Sequence, residues 1–344
     1  MKAVYLEAVA VSKGDISLEP ITSQIETIVY DNTTDEDKYE HIGDAEVVFT
    51  NKVAFDRETF EKLPNLKYLG VCATGYNVID LEAAKEHNVA VTNVPAYSTE
   101  SVAQLAWGFI IECAENIALH DRSVHDGDWV RTETFCYWLR PVMELAGKTI
   151  GILGYGNIGR RVAEIASAFK MNVLVHTAHP EKYLDDDHVM ADAAGKNDDN
   201  TVKGKNDGNS ADGKVRFVSL DEIWEKSDII SLHCPMTSAT DKIIRKENID
   251  KMKEGVIIIN VSRGGLVDEN DLADALKSGK VAAAAADVVS EEPMRADNPL
   301  LKAPNMRITP HMAWASVEAR GRLINVIADN LKSYLAGGNL NRLV

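Results

Sequence analysis

Three polar side chains with catalytic potential follow predicted buried strands. Arg263 follows the run VIIINVS, Glu292 lies in DVVSEEP just past another strand, and His311 lies in RITPHMAW after a short strand and a proline. Each residue alone also has a purely structural interpretation: Arg263 as a cation in a turn, Glu292 as a surface acid and His311 as a loop histidine. Ligands of an open α/β sheet bind beyond the carboxyl ends of its strands, where all three are placed. A guanidinium can bind a carboxylate, an imidazolium can donate a proton, and a carboxylate stabilises the imidazolium.

A glycine-rich turn offers a place for a cofactor. Residues 152–166, ILGYGNIGRRVAEIA, carry the G-x-G-x-x-G spacing at Gly154, Gly156 and Gly159. The turn follows a predicted strand and opens a helix, which is the context of dinucleotide sites, although such turns also occur for packing alone. Gly154 permits the tight turn, Gly156 lets backbone amides approach a pyrophosphate, and Gly159 allows close packing. Beside a nicotinamide, the three polar side chains suit the reduction of a 2-keto acid.

The next strand leaves the choice of dinucleotide open. It runs through MNVLVHTAHP and offers Thr177 where an acid usually binds the ribose hydroxyls of NAD. Threonine can bond a hydroxyl but does not repel the extra phosphate of NADP, and His179 and Lys182 lie nearby. The sequence therefore predicts NAD or NADP without a preference.

The elements that position these residues alternate between strands and helices. Such alternation predicts two α/β domains with parallel sheets. One long helix is predicted over the run YSTESVAQLAWGFIIECAENIALHDR, and an amphipathic helix ends at Gly337–Gly338. The predicted strands are Ala3–Leu6, Thr27–Tyr30, Glu46–Phe49, Leu66–Cys72 and Val89–Val94, then Thr149–Leu153, Asn172–His176, Ile229–His233, Val256–Asn260 and Ala282–Val288.

Composition narrows the class of protein. The 344 residues allow two domains, and the net charge of −16 argues against nucleic acid or an anionic membrane as partner. No signal peptide or membrane-spanning run is apparent. The four cysteines lack metal-site spacing and are predicted to be reduced core thiols of a cytoplasmic protein without a metal. Residues 195–214 are too polar to offset their ordering entropy, which predicts a flexible surface insertion.

The longer motifs carry a family resemblance. CATGYNVID, TNVPAYSTESVAQ, LAGKTIGILGYGNIG, SDIISLHCP, NVSRGGLVDENDLADAL, AAADVVSEEP and TPHMAWAS follow one another between residues ~70 and ~320. The chain resembles the D-isomer-specific 2-hydroxyacid dehydrogenases in these motifs and in the order of its elements. Two Rossmann-like or flavodoxin-like domains, with the active site in the cleft between them, are therefore expected.

The resemblance also implies roles for individual residues. Arg263 would bind the substrate carboxylate and keto oxygen, and His311, paired with Glu292, would be the catalytic histidine. Asp287 would contact the nicotinamide amide. The other implied cofactor contacts, besides the three glycines, are Asn157, Ile158, Thr177, His233, Pro235, Val261 and Ser262. The implied substrate contacts, besides Arg263, are Thr74, Gly75, Asn77 and Trp314.

Domain boundaries and assembly are implied in the same way. Residues 1–101 would form a substrate domain completed by 312–344, and residues 102–311 a dinucleotide-binding domain carrying the insertion at 195–214. The long helix from Ser98 would help to form a homodimer. Thr177 and the insertion are the departures from the family pattern.

The tract MAWAS favours a small substrate. Trp314 can narrow the cleft, and its indole N–H and the Ser316 hydroxyl are polar partners for a 3-hydroxyl group. The expected substrates are hydroxypyruvate and glyoxylate, since the tract resembles bacterial glycerate dehydrogenases. The alternatives are a D-lactate or phosphoglycerate enzyme, or a dinucleotide-sensing scaffold like the C-terminal-binding-protein corepressors.

Overall fold

The computed structural model describes residues 1–183 and 215–344. The chain divides into two compact units: one consists of Met1–Ser101 with Trp314–Val344, and the other of Val102–Ala313. The predicted insertion at 195–214 lies outside the described residues.

The first unit is built on a five-stranded parallel sheet. The strand order is β2-β1-β3-β4-β5, a flavodoxin-like arrangement. The strands are β1 Ala3–Tyr5, β2 Thr27–Val29, β3 Val47–Thr50, β4 Tyr68–Val71 and β5 Ala90–Thr92. The helices, numbered along the chain, are α1 Ala8–Val11, α2 Glu19–Thr22, α3 Lys38–Ile42, α4 Arg57–Lys62, α5 Leu81–Glu86 and α13 Val317–Leu335.

The C-terminal helix α13 completes the core of this unit. Ser316 caps it by accepting a hydrogen bond from the Ala319 amide. Its apolar residues Leu323, Ile327 and Leu331 recur every four positions, so they share one face and lie in one core cluster with residues of β1, β3 and β4. The predicted amphipathic helix is confirmed.

The second unit is built on a seven-stranded parallel sheet. Its order, β12-β11-β10-β9-β6-β7-β8, contains the doubly wound arrangement of Rossmann folds. The strands are β6 Thr149–Leu153, β7 Asn172–His176, β8 Val215–Phe217, β9 Ile229–Leu232, β10 Val256–Asn260, β11 Val281–Ala286 and β12 Met306–Ile308. The helices are α6 Thr99–Glu115, α7 Ile117–His125, α8 Asp128–Arg131, α9 Asn157–Ala168, α10 Leu220–Lys226, α11 Lys246–Ile249 and α12 Glu269–Ser278.

The two sheets confirm the predicted fold class. β10 is buried along its whole length, as expected for a central parallel strand. The strand order reverses between β6 and β9, which are direct neighbours. Such a reversal opens a crevice at the carboxyl ends of the strands, where ligands of doubly wound sheets bind.

Three features differ from the sequence-based expectation. The predicted single long helix is two helices, because Asn116 adopts a left-handed conformation, φ 53°, between α6 and α7. Strand β8 was not predicted. Cys136 is exposed and is therefore not a core thiol, whereas the other three cysteines are buried.

No single helix in the described residues is long and apolar enough to span a membrane. By length and composition alone, α6 and α7 pass that test together, with a bend of 59° between them.

Candidate active site

The three glycines of the turn after β6 differ in the space that an added side chain would find. Gly154 has φ 98°, and a Cβ placed there would lie 2.6 Å from the carbonyl oxygen of His233. A Cβ on Gly159 would lie 2.1 Å from the carbonyl oxygen of Gly154. A Cβ on Gly156 would meet nothing within 4 Å. Packing therefore requires the first and third glycines, while the second borders open space at the start of α9.

The start of α9 suits an anion. Gly156 is the N-cap, and Asn157 and Ile158 are the first helical residues, with no acidic side chain in the first turn. Backbone N–H groups at this position have no partner within the helix, and the helix dipole favours negative charge there. The residues present thus fit the pyrophosphate of a dinucleotide.

His233, which follows β9, lies on the other side of the strand reversal. Its Nε2 is 2.8 Å from the Ser231 hydroxyl, while its Nδ1 is buried without a hydrogen-bond partner in the described part of the chain. Burial lowers the pKa of His233 to about 3, so the ring is neutral. A buried nitrogen without a partner is costly, and a polar group of a ligand would satisfy it.

The remaining implied cofactor residues lie along the same edge. Thr177 directly follows β7, and its hydroxyl is 3.5 Å from the His179 amide. Ser262, after β10, donates its hydroxyl to the Cys234 carbonyl at 2.7 Å, which ties the loops after β10 and β9 together. Val261 is buried, and Pro235 is exposed.

Arg263 is held by the turn that follows β10. Its main-chain carbonyl accepts a hydrogen bond from the buried Asn260 side chain at 2.8 Å, and its guanidinium is exposed. A Cβ on Gly264 would lie only 1.9 Å from the Val289 carbonyl oxygen. The turn carrying Arg263 therefore packs directly against the loop after β11.

That loop brings an acid to the histidine. Glu292 Oε2 is 2.6 Å from His311 Nδ1, and the other carboxylate oxygen accepts the Val289 amide at 3.2 Å. Both side chains are about one-third exposed, at 34% each. Residues 19 positions apart thus form a short ion pair when the ring is protonated, in reach of a ligand.

Asp287 shapes the turn that carries this histidine. Its carboxylate is buried and accepts hydrogen bonds from the Thr309 hydroxyl and from the backbone amides of Met312 and Ala313, at 2.5, 2.9 and 2.8 Å. His311 itself has φ 53°, a conformation uncommon outside glycine. The carboxylate thus fixes the residues on either side of His311, which the sequence did not predict; its contact with the nicotinamide amide stays a prediction.

The implied substrate residues Thr74, Gly75, Asn77 and Trp314 lie in the first unit. The Thr74 hydroxyl donates to the Val94 carbonyl at 2.7 Å, and Asn93 donates to the Thr74 carbonyl at 2.8 Å, so the loop after β4 is braced. Trp314 is half-buried and meets the Tyr97 ring edge-on. The Ser316 hydroxyl, expected to face the substrate, accepts the Ala319 amide as the cap of α13.

Sequence reasoning missed Glu269, the first residue of α12. Its carboxylate binds Ser290 and Asn298 on the loop that carries Glu292. The only signal in the sequence is the cluster of acids in the run DENDLADAL, and acids are common at helix starts for electrostatic reasons alone.

Comparison with known proteins gives the family. Residues 107–313 match the family model described as D-isomer specific 2-hydroxyacid dehydrogenase, NAD binding domain. A hydroxypyruvate reductase of Blautia hydrogenotrophica is 43% identical, with 99% of each chain covered. The chain belongs to the D-isomer-specific 2-hydroxyacid dehydrogenase family. The resemblance stated from the motifs is confirmed.

The chain is also similar to a second curated relative and to a solved structure. A glycerate dehydrogenase of Methylorubrum extorquens is 36% identical over 90% of this chain and 88% of its own. The structure of an acyclic imino acid reductase, Bsp5, in complex with NADPH and D-Arg superposes with a TM-score of 0.80 at 27% identity, with both chains fully covered. The predictions of an oxidoreductase and of an NAD-binding Rossmann domain are confirmed.

Proposed function

We propose that this dehydrogenase reduces hydroxypyruvate, and glyoxylate less efficiently, to the D-2-hydroxy acid in the cytoplasm, with NADH or NADPH as hydride donor. The observation that carries the proposal is the 2.6 Å contact between His311 Nδ1 and Glu292, beside the turn of Arg263. The relatives named hydroxypyruvate reductase and glycerate dehydrogenase support the choice of substrate.

In this proposal each side chain has one task. Arg263 binds the substrate carboxylate and keto oxygen through its planar guanidinium. Because Nδ1 of His311 is engaged by Glu292, the ring donates its proton to the keto oxygen from Nε2. Ionised Glu292 stabilises the imidazolium before the transfer. The dinucleotide, held at Gly156 and the start of α9, supplies the hydride when bound.

Substrate choice rests on residues that face the third carbon of the keto acid. Every 2-keto acid has the carboxylate that Arg263 would bind, so Arg263 does not discriminate among them. The same holds for the amides around Gly75, which would bind that carboxylate with Arg263. Trp314 is the candidate contact to the third carbon, whereas Thr74 and Asn77 are substrate contacts implied by the resemblance. A polar site built for a 3-hydroxyl group disfavours a methyl group, because its own polar groups are left without partners.

A panel of 2-keto acids with NADH and with NADPH tests the substrate. We expect kcat/KM for hydroxypyruvate to exceed that for pyruvate by at least about tenfold, with glyoxylate between them. Bulky branched or aromatic keto acids are expected to be poor substrates. A clear preference for phenylpyruvate or 2-ketoisocaproate would overturn the assignment, and a preference for pyruvate or for 3-phosphohydroxypyruvate would favour the D-lactate or phosphoglycerate alternative.

The variant His311→Gln tests the proton donor. Glutamine has no proton to give at neutral pH, so kcat is expected to fall about 10²–10⁴-fold, the contribution of a general acid. Binding of NADH, measured by fluorescence titration, stays near that of the wild type. Turnover above about a tenth of the wild-type value would exclude His311 as the acid.

We also propose a homodimer formed through α7 and the segment that joins it to β6. Large apolar side chains cluster there in exposed positions, and such patches mark association surfaces. They include Ile117, Trp129, Val130, Phe135, Trp138 and Val142. Sedimentation equilibrium is expected to give a dimer for the wild type and a monomer for Val130→Asp, whereas Leu301→Asp, at another exposed apolar position, stays dimeric.

A further inference from the structure

Glu292 lies on a connection that has little regular structure to hold it. Between the end of β11 at Ala286 and the short 3₁₀ helix Pro299–Lys302, no helix or strand is formed. The carboxylate of Glu292 is one-third exposed and receives one backbone hydrogen bond, from Val289. A catalytic pair works only within about 0.5 Å of its productive geometry, so this loop needs support from outside.

The carboxylate of Glu269 supplies that support at both ends of the loop. Its Oε1 accepts the backbone N–H of Ser290 at 2.8 Å, and its Oε2 accepts the Ser290 hydroxyl at 2.8 Å and the Asn298 side-chain amide at 2.9 Å. Ser290 precedes Glu292 and Asn298 follows it, so one side chain joins the two flanks. Hydrogen bonds to an ionised acceptor are about twice as strong as neutral ones.

The position of Glu269 is itself rigid. It is the first residue of α12, whose N-cap Asp268 accepts the amides of Asn270 and Asp271. The Lys242 ammonium donates a hydrogen bond to the Asp268 carboxylate and lowers its pKa, which favours the ionised cap. The anchor of the loop is therefore a helix end rather than another loop.

The path from Glu269 to the histidine is continuous. Ser290 is bonded to Val289, whose amide holds Oε1 of Glu292. The Val289 carbonyl leaves no space for a side chain at Gly264, so the loop lies against the Arg263 turn and has no room to move that way. A displacement of Ser290 thus moves Val289 and, through its amide, the carboxylate that orients His311.

We propose that Glu269 is a positioning residue for the Glu292–His311 pair, acting through Ser290 and Val289. The inference rests on the proposed catalytic roles of Glu292 and His311. Glu269 binds Ser290 and Asn298 and so sets the place of the loop from which Glu292 reaches the imidazole.

The test compares Glu269→Ala with the control Asp271→Ala. Asp271 lies in the same helical turn and likewise accepts a backbone amide, that of Lys246 at the start of α11. We expect Glu269→Ala to lower kcat for hydroxypyruvate at least about tenfold, since misplacement by 1 Å can cost ~10²-fold. Its Kd for NADH should stay within about twofold of wild type, as should kcat of the control. Glu269→Gln, which keeps one acceptor oxygen and loses the charge, is expected to lie between.

Two further measurements separate the possible outcomes. Equal losses of melting temperature in Glu269→Ala and Asp271→Ala, with kcat unchanged in both, would overturn the inference, because Glu269 would then only stabilise the fold. High turnover of His311→Gln would remove the proposed function and this inference with it. If Glu269→Ala does not fold, Ser290→Ala is tested in its place. This variant loses only the hydroxyl that donates to Glu269, and its kcat is expected to be about threefold lower than that of the wild type.

Discussion

Single Gly→Ala substitutions in the turn after β6 can distinguish its role in cofactor binding from its role in packing. Gly156→Ala adds a Cβ that meets no atom of the chain within 4 Å, whereas Gly159→Ala places one 2.1 Å from the Gly154 carbonyl oxygen. Gly108→Ala, at an exposed position of α6 with nothing within 4 Å, is the matched control. If the turn serves a dinucleotide, the Gly156 methyl group obstructs the ligand and not the fold.

The magnitudes follow from these distances. Alanine at the N-cap costs a few tenths to about 1 kcal/mol relative to glycine, which the lower entropy of the unfolded chain offsets by about 0.4–1 kcal/mol. The melting temperature of Gly156→Ala is therefore expected to change by less than about 3 °C. Losing one hydrogen bond to a charged phosphate costs about 1.5–3 kcal/mol, so Kd for NADH should rise at least about tenfold.

The packing variant should show the opposite pattern. Overpacking costs typically about 1–3 kcal/mol, so for a domain of this size Gly159→Ala should melt about 2–12 °C lower. Fluorescence titration with NADH and thermal melts followed by circular dichroism give both quantities for the three variants. A Kd for Gly156→Ala within twofold of the wild-type value would refute the cofactor role of the turn and leave only its packing role.

Three further outcomes are expected. Thr177→Asp should favour NADH over NADPH in steady-state kinetics, because a carboxylate repels the 2′-phosphate; unchanged NADPH use would place Thr177 away from the ribose. A thiol reagent should label only Cys136 in the folded monomeric variant Val130→Asp, since burial raises the pKa of Cys72 and Cys113 to about 12 and that of Cys234 to about 11; adding Cys136→Ser should abolish this labelling. The pKa of His233 is about 3 in the folded protein and ~6.5 in the unfolded chain. As the pH falls between those values, the unfolded chain takes up a proton that the folded protein does not, so the free energy of unfolding decreases. His233→Asn should make the melting temperature decline less steeply between pH 6.5 and 4, and an unchanged slope would contradict the burial of the ring.

The sequence by itself determined the layers of the fold and the edge at which the site lies. Strands such as Thr149–Leu153 and Val256–Asn260 were predicted with the bounds that the structure gives. Their apolar runs are local properties of the chain and need no partner to be recognised. Arg263 and His311 could be placed at strand ends for the same reason. The break at Asn116 was missed, because the helical pattern continues through it and only one residue changes conformation.

Only the tertiary structure decided which polar groups meet. Cys136 resembles a core thiol in sequence, but it is exposed in the described chain. Glu269 and Ser290 are 21 residues apart, and Asp287 and Ala313 are 26 apart. No periodicity connects such pairs, since their contact depends on the order of β10, β11 and β12 in the sheet. The sequence therefore supplied the side chains that could do the chemistry, and the fold selected the carboxylates that hold them in place.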